Sequence, residues 1–138
     1  MRANRSMPPA TVIPVLAYPD VPAAVAWLCE TFGFVERWRA GDHRAQLTVG
    51  AGAIVVSAQP TPPSADERHS TMVRVDDVDA HHAHAVAHGA RIVAPPTVYP
   101  YGERQYSVVD LAGHHWTFSQ SVADVAPEEW GGTSHELD

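Results

Sequence analysis

The feature that most constrains this chain is an internal repeat. Residues 11–39 and 70–98 follow one plan. Each opens on a short apolar run, Val12-Ile13-Pro14-Val15-Leu16-Ala17-Tyr18 in the first and Thr71-Met72-Val73-Arg74-Val75 in the second. Bounded apolar runs of this length read as strands. Each then meets an aspartate suited to cap a helix, Asp20 before Val21-Pro22-Ala23-Ala24 and Asp77 before Val78-Asp79-Ala80-His81. Pro22 fits a first helical turn, where its missing N–H costs little. In the first helix Val25, Leu28 and Phe32 recur at helical spacing and Gly33 ends it; in the second, Ala83, Val86 and Ala87 form a thin apolar stripe closed by Gly89.

A β-rich remainder follows each helix. It comprises residues 34–38, 45–49 and 53–58 in the first half, and 91–93, 105–109 and 115–119 in the second. Asp20 and Asp77 stand 57 residues apart, the offset of a duplicated unit. The expected fold class is therefore α+β, with two βαβββ modules in tandem. The boundaries are 11–58 for the first module, 59–69 for a Pro-rich linker (Pro60, Pro62, Pro63), 70–120 for the second module and 121–138 for a tail. Trp130 in that tail is expected to dock on the body or on a second subunit.

Composition narrows the function. Nine Lys+Arg against sixteen Asp+Glu give −7 at neutral pH, which argues against nucleic acid or an anionic membrane as partner. No apolar run approaches the roughly 20 residues of a membrane span. The opening residues carry Arg2 and Arg5 but no apolar signal core, and Cys29 is the single cysteine, so no internal disulfide forms. The reading is a cytoplasmic protein.

Three segments carry a family resemblance. They are Tyr18-Pro19-Asp20-Val21 with Trp27 and Phe32-Gly33-Phe34; Val75-Asp76-Asp77-Val78-Asp79 with His88-Gly89-Ala90; and Asp110-Leu111-Ala112-Gly113-His114-His115-Trp116-Thr117-Phe118. Together they resemble the glyoxalase / bleomycin-resistance / extradiol-dioxygenase superfamily, also called the vicinal oxygen chelate fold, with Leu111 in place of the usual turn proline. The resemblance implies curved mixed sheets around a cupped cavity, and a homodimer. Enzymes of the family hold a divalent metal as Lewis acid through one His or Glu from each of four strands. Those positions fall here on Ile13, Ser70, Thr117 and near Val56, none of which is a competent ligand. The chain thus resembles the metal-less members, with no metal and no cofactor expected. A register shift of one offers an escape, in which His69 and His115, from different sheets, share an ion.

Side chains alternate faces along a strand, so residues in phase with the ligand positions line the cup. These are Met72 and Arg74; His115, Thr117 and Ser119; and Val15 and Ala17, with Trp116 and Phe118 facing the helices. The expected lining is mostly apolar, with one cation and one imidazole. Arg74 either meets an anionic oxygen of a ligand or sits at the rim beside Asp76 or Glu103. The 99–106 segment, read as a loop entering a strand, adds Tyr101 and Arg104 as ligand contacts. Trp38, His43 and Gln46 are further candidates in the first half. His81, His84 and His88 lie at helical spacing and could bridge an ion, although exposed histidines on an Ala-rich helix are commoner. Cys29 reads as a buried packing residue.

Three functions compete. The first is a small-molecule-binding protein using Met72, Arg74, Tyr101, Arg104, His115 and Thr117. The second is a metal-independent isomerase, lyase or hydrolase with His115 as base and Arg74 stabilising charge. The missing ligands place a metal-dependent glyoxalase or dioxygenase last. One prediction follows from charge alone. The nine histidines, with ordinary pKa values of about 6.5, cancel most of the negative charge near pH 6. Light scattering should therefore rise sharply just below pH 6, and a flat trace from pH 5 to 7 would contradict this.

Overall fold

The first half runs β1 (Val15–Tyr18), α1 (Val21–Phe32), β2 (Val35–Ala40), β3 (Arg44–Val49) and β4 (Gly52–Ala58). The second repeats it as β5 (Thr71–Arg74), α2 (Val78–Ala87), β6 (Arg91–Tyr99), β7 (Glu103–Val109) and β8 (His115–Ser121), with a 3-10 turn at Pro127–Trp130. These elements belong to a computed structural model that describes residues 2–59 and 69–135. Residues 60–68, most of the expected linker, and residues 136–138 of the tail lie outside the described residues. Each half forms a four-stranded mixed sheet, β1-β4-β3-β2 and β5-β8-β7-β6. In both, the first strand pairs parallel with the last and the other pairs are antiparallel. The α+β class with tandem βαβββ modules is what the chain adopts.

The helix signals act as expected. The Asp20 and Asp77 carboxylates accept from the Ala23 and Ala80 N–H groups at 3.0 Å, satisfying first-turn donors that have no partner within the helix. α1 stops at Gly33, whose φ of 80° lies in the left-handed region that glycine adopts without a steric cost. Val21, Val25, Leu28 and Phe32 are buried where α1 meets β3 and β4. Each such side chain contributes about 1.5–3 kcal/mol by leaving water.

α2 is packed differently from its expected stripe. Ala83, Val86 and Ala87 are exposed, whereas Val78 and Ala85 are buried and His81 and His82 half-buried. The reason is the flat imidazole. The His81 ring lies 4.1 Å from that of Phe118, and its Nδ1 shares a 2.6 Å hydrogen bond with the Tyr106 hydroxyl. His82 meets the Tyr106 ring edge-on at 5.1 Å. An apolar count treats these rings as polar and so selects the wrong face.

Strand bounds also move. β1 begins at Val15, not Val12, which is exposed: Pro14 supplies its carbonyl to the Val55 N–H at 2.9 Å but has no N–H to return. β6 runs on through Pro95 and Pro96 to Tyr99, because it is an edge strand and its register shifts between Ile92 and Ala94 and between Ala94 and Thr97. Prolines are tolerated at such edges and bulges.

By contact, the chain divides into two compact units, Met1–Asp66 with Asp110–His114, and Glu67–Val109 with His115–Asp138. In the first, the Asp110–His114 turn is held against β1. The buried Asp110 carboxylate accepts from the Tyr18 hydroxyl at 2.6 Å and from the Ala112 and His114 N–H groups at 3.0 Å. His114 Nε2 bonds the Ala17 carbonyl at 2.7 Å. Burial, then the Asp110 charge and hydrogen bond, push the Tyr18 phenol far above its ordinary value, so it stays a donor. Tyr18→Phe should leave the carboxylate short of a charge-assisted donor and cost about 1–3 kcal/mol, read as a lower urea midpoint. An unchanged midpoint would show that this bond does not hold the turn.

Candidate functional site

The site is built by alternation along β8. Trp116 and Phe118 are fully buried on the helix side, and His115, Thr117, Ser119 and Ser121 take the other face. Register carries that open face across the sheet. On β7, Ser107 pairs with Thr117, Gln105 with Ser119 and Glu103 with Ser121. On β5, Met72 pairs with Thr117 and Arg74 with Ser119. At one end Ser70, Val93, Ser107, His115, Trp116 and Thr117 bound a cavity of about 320 Å³.

A polar network crosses the face. The Tyr101 hydroxyl donates to Gln105 Oε1 at 3.1 Å, and Gln105 Nε2 donates to Ser119 Oγ at 3.0 Å. Ser119 Oγ donates to Glu103 Oε1 at 2.7 Å, Glu103 is also bonded to Ser121, and Arg74 donates to Ser121 Oγ at 2.9 Å. Ser107 and Thr117 hydroxyls lie 3.2 Å apart. The expectation of a mostly apolar lining is corrected here for the second sheet. β7 starts at Glu103 rather than Gln105, so Glu103 joins Gln105 and Ser107 on this polar face. Burial acts to raise the Glu103 carboxyl, but hydrogen bonds from Ser121 and Ser119 and the Arg74 charge outweigh it and hold the group below its ordinary value.

The residues singled out from sequence separate. Met72, Arg74, His115 and Thr117 share the open face, and the Arg74 charge acts on Glu103. Tyr101 lies in the turn between β6 and β7, its ring parallel to Tyr99 at 5.5 Å and edge-on to Trp130 at 5.7 Å. Trp130 therefore docks on the turn that Tyr101 occupies. Gly102, with φ of 83°, allows this close approach of the tail: an added Cβ would stand 2.5 Å from the Ala123 carbonyl oxygen. Arg104 is the exception. As a strand residue one step from Glu103 it faces the helix side, where it makes a salt bridge to Asp79 at 3.0 Å.

The donor set for a metal does not fit. Ile13, Val56, Ser70 and Thr117 supply no competent ligand, and no group of three His, Cys, Asp or Glu is placed to hold an ion among the described residues. His69 and His115 do not come from different sheets: His69 leads into β5, which neighbours β8. The helical histidines divide, with His81 against Phe118 and His84 and His88 exposed, their rings 4.2 Å apart. Cys29 is half-buried rather than buried, and burial pushes its thiol up, away from the reactive thiolate.

In the first half, Trp38 and Gln46 are paired across β2 and β3, and His43 sits in the intervening turn. Sequence reasoning missed Arg37, which donates to Gln46 Oε1 at 2.6 Å, and the Arg5 and Ser6 carbonyls, which accept from Arg37 and Trp38. Backbone acceptors leave no trace in side-chain patterns.

The model of the Glyoxalase/Bleomycin resistance protein/Dioxygenase superfamily matches residues 11–118. Among solved structures, TioX from Micromonospora sp. ML1 is 37% identical, with 80% of this chain and 97% of that one covered at a TM-score of 0.68. A glyoxalase/bleomycin resistance protein/dioxygenase family enzyme from Burkholderia phytofirmans PsJN is 20% identical, with 79% and 96% covered and a TM-score of 0.67. The genomically encoded fosfomycin resistance protein FosX from Listeria monocytogenes is 14% identical, with 83% and 94% covered and a TM-score of 0.68. The last two likenesses are of fold alone. No curated protein matches the chain.

The network predicts a titration. Because the folded Glu103 carboxyl lies below its ordinary value of 4.5, the stabilisation it gives is full above that value and is lost as pH falls through the lower folded one. Carboxyl-carbon NMR should place its midpoint below 4.5, and Arg74→Ala should move it upward. A midpoint at or above 4.5 would mean that the network is not formed.

Proposed function

The chain belongs to the glyoxalase / bleomycin resistance protein / dioxygenase superfamily, and from that footing we propose that it is a metal-independent small-molecule-binding protein. Its ligand lies in the family's cupped cavity, against the open face of the β5–β8 sheet. Met72, Arg74, Tyr101, His115 and Thr117 contact it. Arg104, turned to Asp79, stays outside the site. The observation that carries this reading is the fixed polar network across the sheet face opposite α2. Gln105 and Ser119 within it are buried and held by their neighbours, so they orient the exposed groups before a ligand arrives.

Spacing favours binding over catalysis. Arg74 pairs with Ser119, four residues along β8 from His115, which puts the two about 13 Å apart along the strand. That distance suits the two ends of an extended ligand rather than one reacting centre. Two further expectations belong to the proposal: a homodimer, supported by the exposure of Val15, Met72 and Val93 in the single chain, and a cytoplasmic location.

A thermal-shift panel of metabolites and antibiotics, the latter suggested by the fold likeness to a fosfomycin resistance protein, tests this directly. A true ligand near 100 times its Kd should raise Tm by roughly 5–10 °C. The shift should persist in EDTA, fall strongly in Arg74→Ala and survive Arg104→Ala. A shift abolished by EDTA would sink the metal-independent reading, and one abolished by Arg104→Ala but not Arg74→Ala would move the site to the helix side.

A further inference from the structure

The open side of β2 and β3 carries a feature that strand alternation does not produce. Arg37 and Trp38 are consecutive, so a regular strand would send them to opposite faces. The register between β2 and β3 shifts between Glu36 and Trp38, so Arg37 and Trp38 together stand against Gln46. A bulge of this kind re-aims a side chain, and bulges concentrate at functional positions. The result is a cluster of three donors. Arg37 Nη2 donates to the Arg5 carbonyl at 2.8 Å, and Trp38 Nε1 and Gln46 Nε2 donate to the Ser6 carbonyl at 3.1 and 3.4 Å. Arg37 Nη1 also fixes the Gln46 amide at 2.6 Å. Gln46 is 1% exposed, so its orientation is set by these partners and not by water.

What sits on the donors is a short arm with its own turn. The Met7 N–H bonds the Asn4 carbonyl and the Ser6 N–H bonds Asn4 Oδ1, both at 3.0 Å, which aims the two central carbonyls of Asn4–Met7 at the sheet. These hydrogen bonds are what seats the turn itself: Asn4, Arg5, Ser6 and Met7 are all exposed, and the chain is next buried at Pro8. Beside it Arg5, Ser6, Trp38 and Ala40 bound a hollow of about 560 Å³ that the arm leaves unfilled.

We propose that Arg37, Trp38 and Gln46 form a recognition site for a peptide-like ligand presenting two neighbouring amide carbonyls, and that the chain's own Asn4–Met7 turn occupies this site when no such ligand is bound. The guanidinium and indole supply fixed donors, the indole adds a flat stacking surface, and the hollow takes the rest of the molecule. Tethering gives the arm a high effective concentration, so it acts as a built-in competitor that sets a threshold for outside ligands.

The test uses the full chain and a blocked tetrapeptide of the arm's own sequence, acetyl-Asn-Arg-Ser-Met-amide, followed through the Trp38 indole N–H resonance and assigned by its loss in Trp38→Phe. Ser6→Pro removes the N–H that Asn4 accepts and disfavours the turn, because proline at its third position forces Arg5 out of the helical region. In Ser6→Pro the indole signal should move, added peptide should return it, and the peptide should bind about tenfold more tightly than to the unaltered chain. Adding Arg37→Ala should then weaken peptide binding about tenfold, the loss expected for a charged donor. Indole signals of Trp27 and Trp116 report that the fold is intact. A Trp38 signal indifferent to peptide in Ser6→Pro, or equal affinity with and without that substitution, overturns the proposal. Arg74→Ala should leave the peptide response unchanged, which separates this site from the one on the second sheet.

Discussion

A helix covers one face of a four-stranded sheet and leaves the other to be satisfied by something else. That constraint organises both halves of this chain. On the covered side the sequence spends its large side chains: Leu28 and Phe32 over the first sheet, and Trp116, Phe118, Tyr106 and Val108 within the second. On the uncovered side of the second sheet the same strands present hydroxyls, an amide, a carboxylate and a guanidinium. Because strand side chains alternate, neither inventory can change without moving the other.

The two open faces are satisfied in different ways. In the second sheet the polar groups satisfy one another, from Tyr101 through Gln105, Ser119 and Glu103 to Ser121 and Arg74. In the first, a bulge gathers donors whose acceptors come from the chain's own arm. A buried polar group without a partner costs about 1–3 kcal/mol, so each arrangement both stabilises the free protein and fixes the geometry that a ligand meets. Among the described residues no three His, Cys, Asp or Glu side chains are gathered, and the fold presents two preorganised polar surfaces.

Much of this was legible in the sequence, for identifiable reasons. Asp20, Asp77 and Gly33 act through their own backbone chemistry, so their roles survive without tertiary knowledge. The alternation of His115 and Thr117 against Trp116 and Phe118 is likewise local. What failed depended on partners. The packed face of α2 is chosen by rings that stack on imidazole, Arg104 becomes a strand residue turned to Asp79 because β7 begins two residues early, and Arg37 joins Trp38 only because β2 is bulged. The Arg5 and Ser6 carbonyls belong to the backbone and are invisible to any residue-type argument.

The central claim is that a ligand engages the uncovered face of the second sheet without a metal. The most direct measurement is side-chain and amide chemical-shift mapping with whatever small molecule co-purifies with the untagged protein, run before and after chelation. The account predicts shifts confined to Met72, Arg74, Ser107, His115 and Thr117 with their strand neighbours, unchanged by the chelator. Shifts centred on α2 and Arg104, or shifts that vanish as a divalent ion is stripped away, would contradict it.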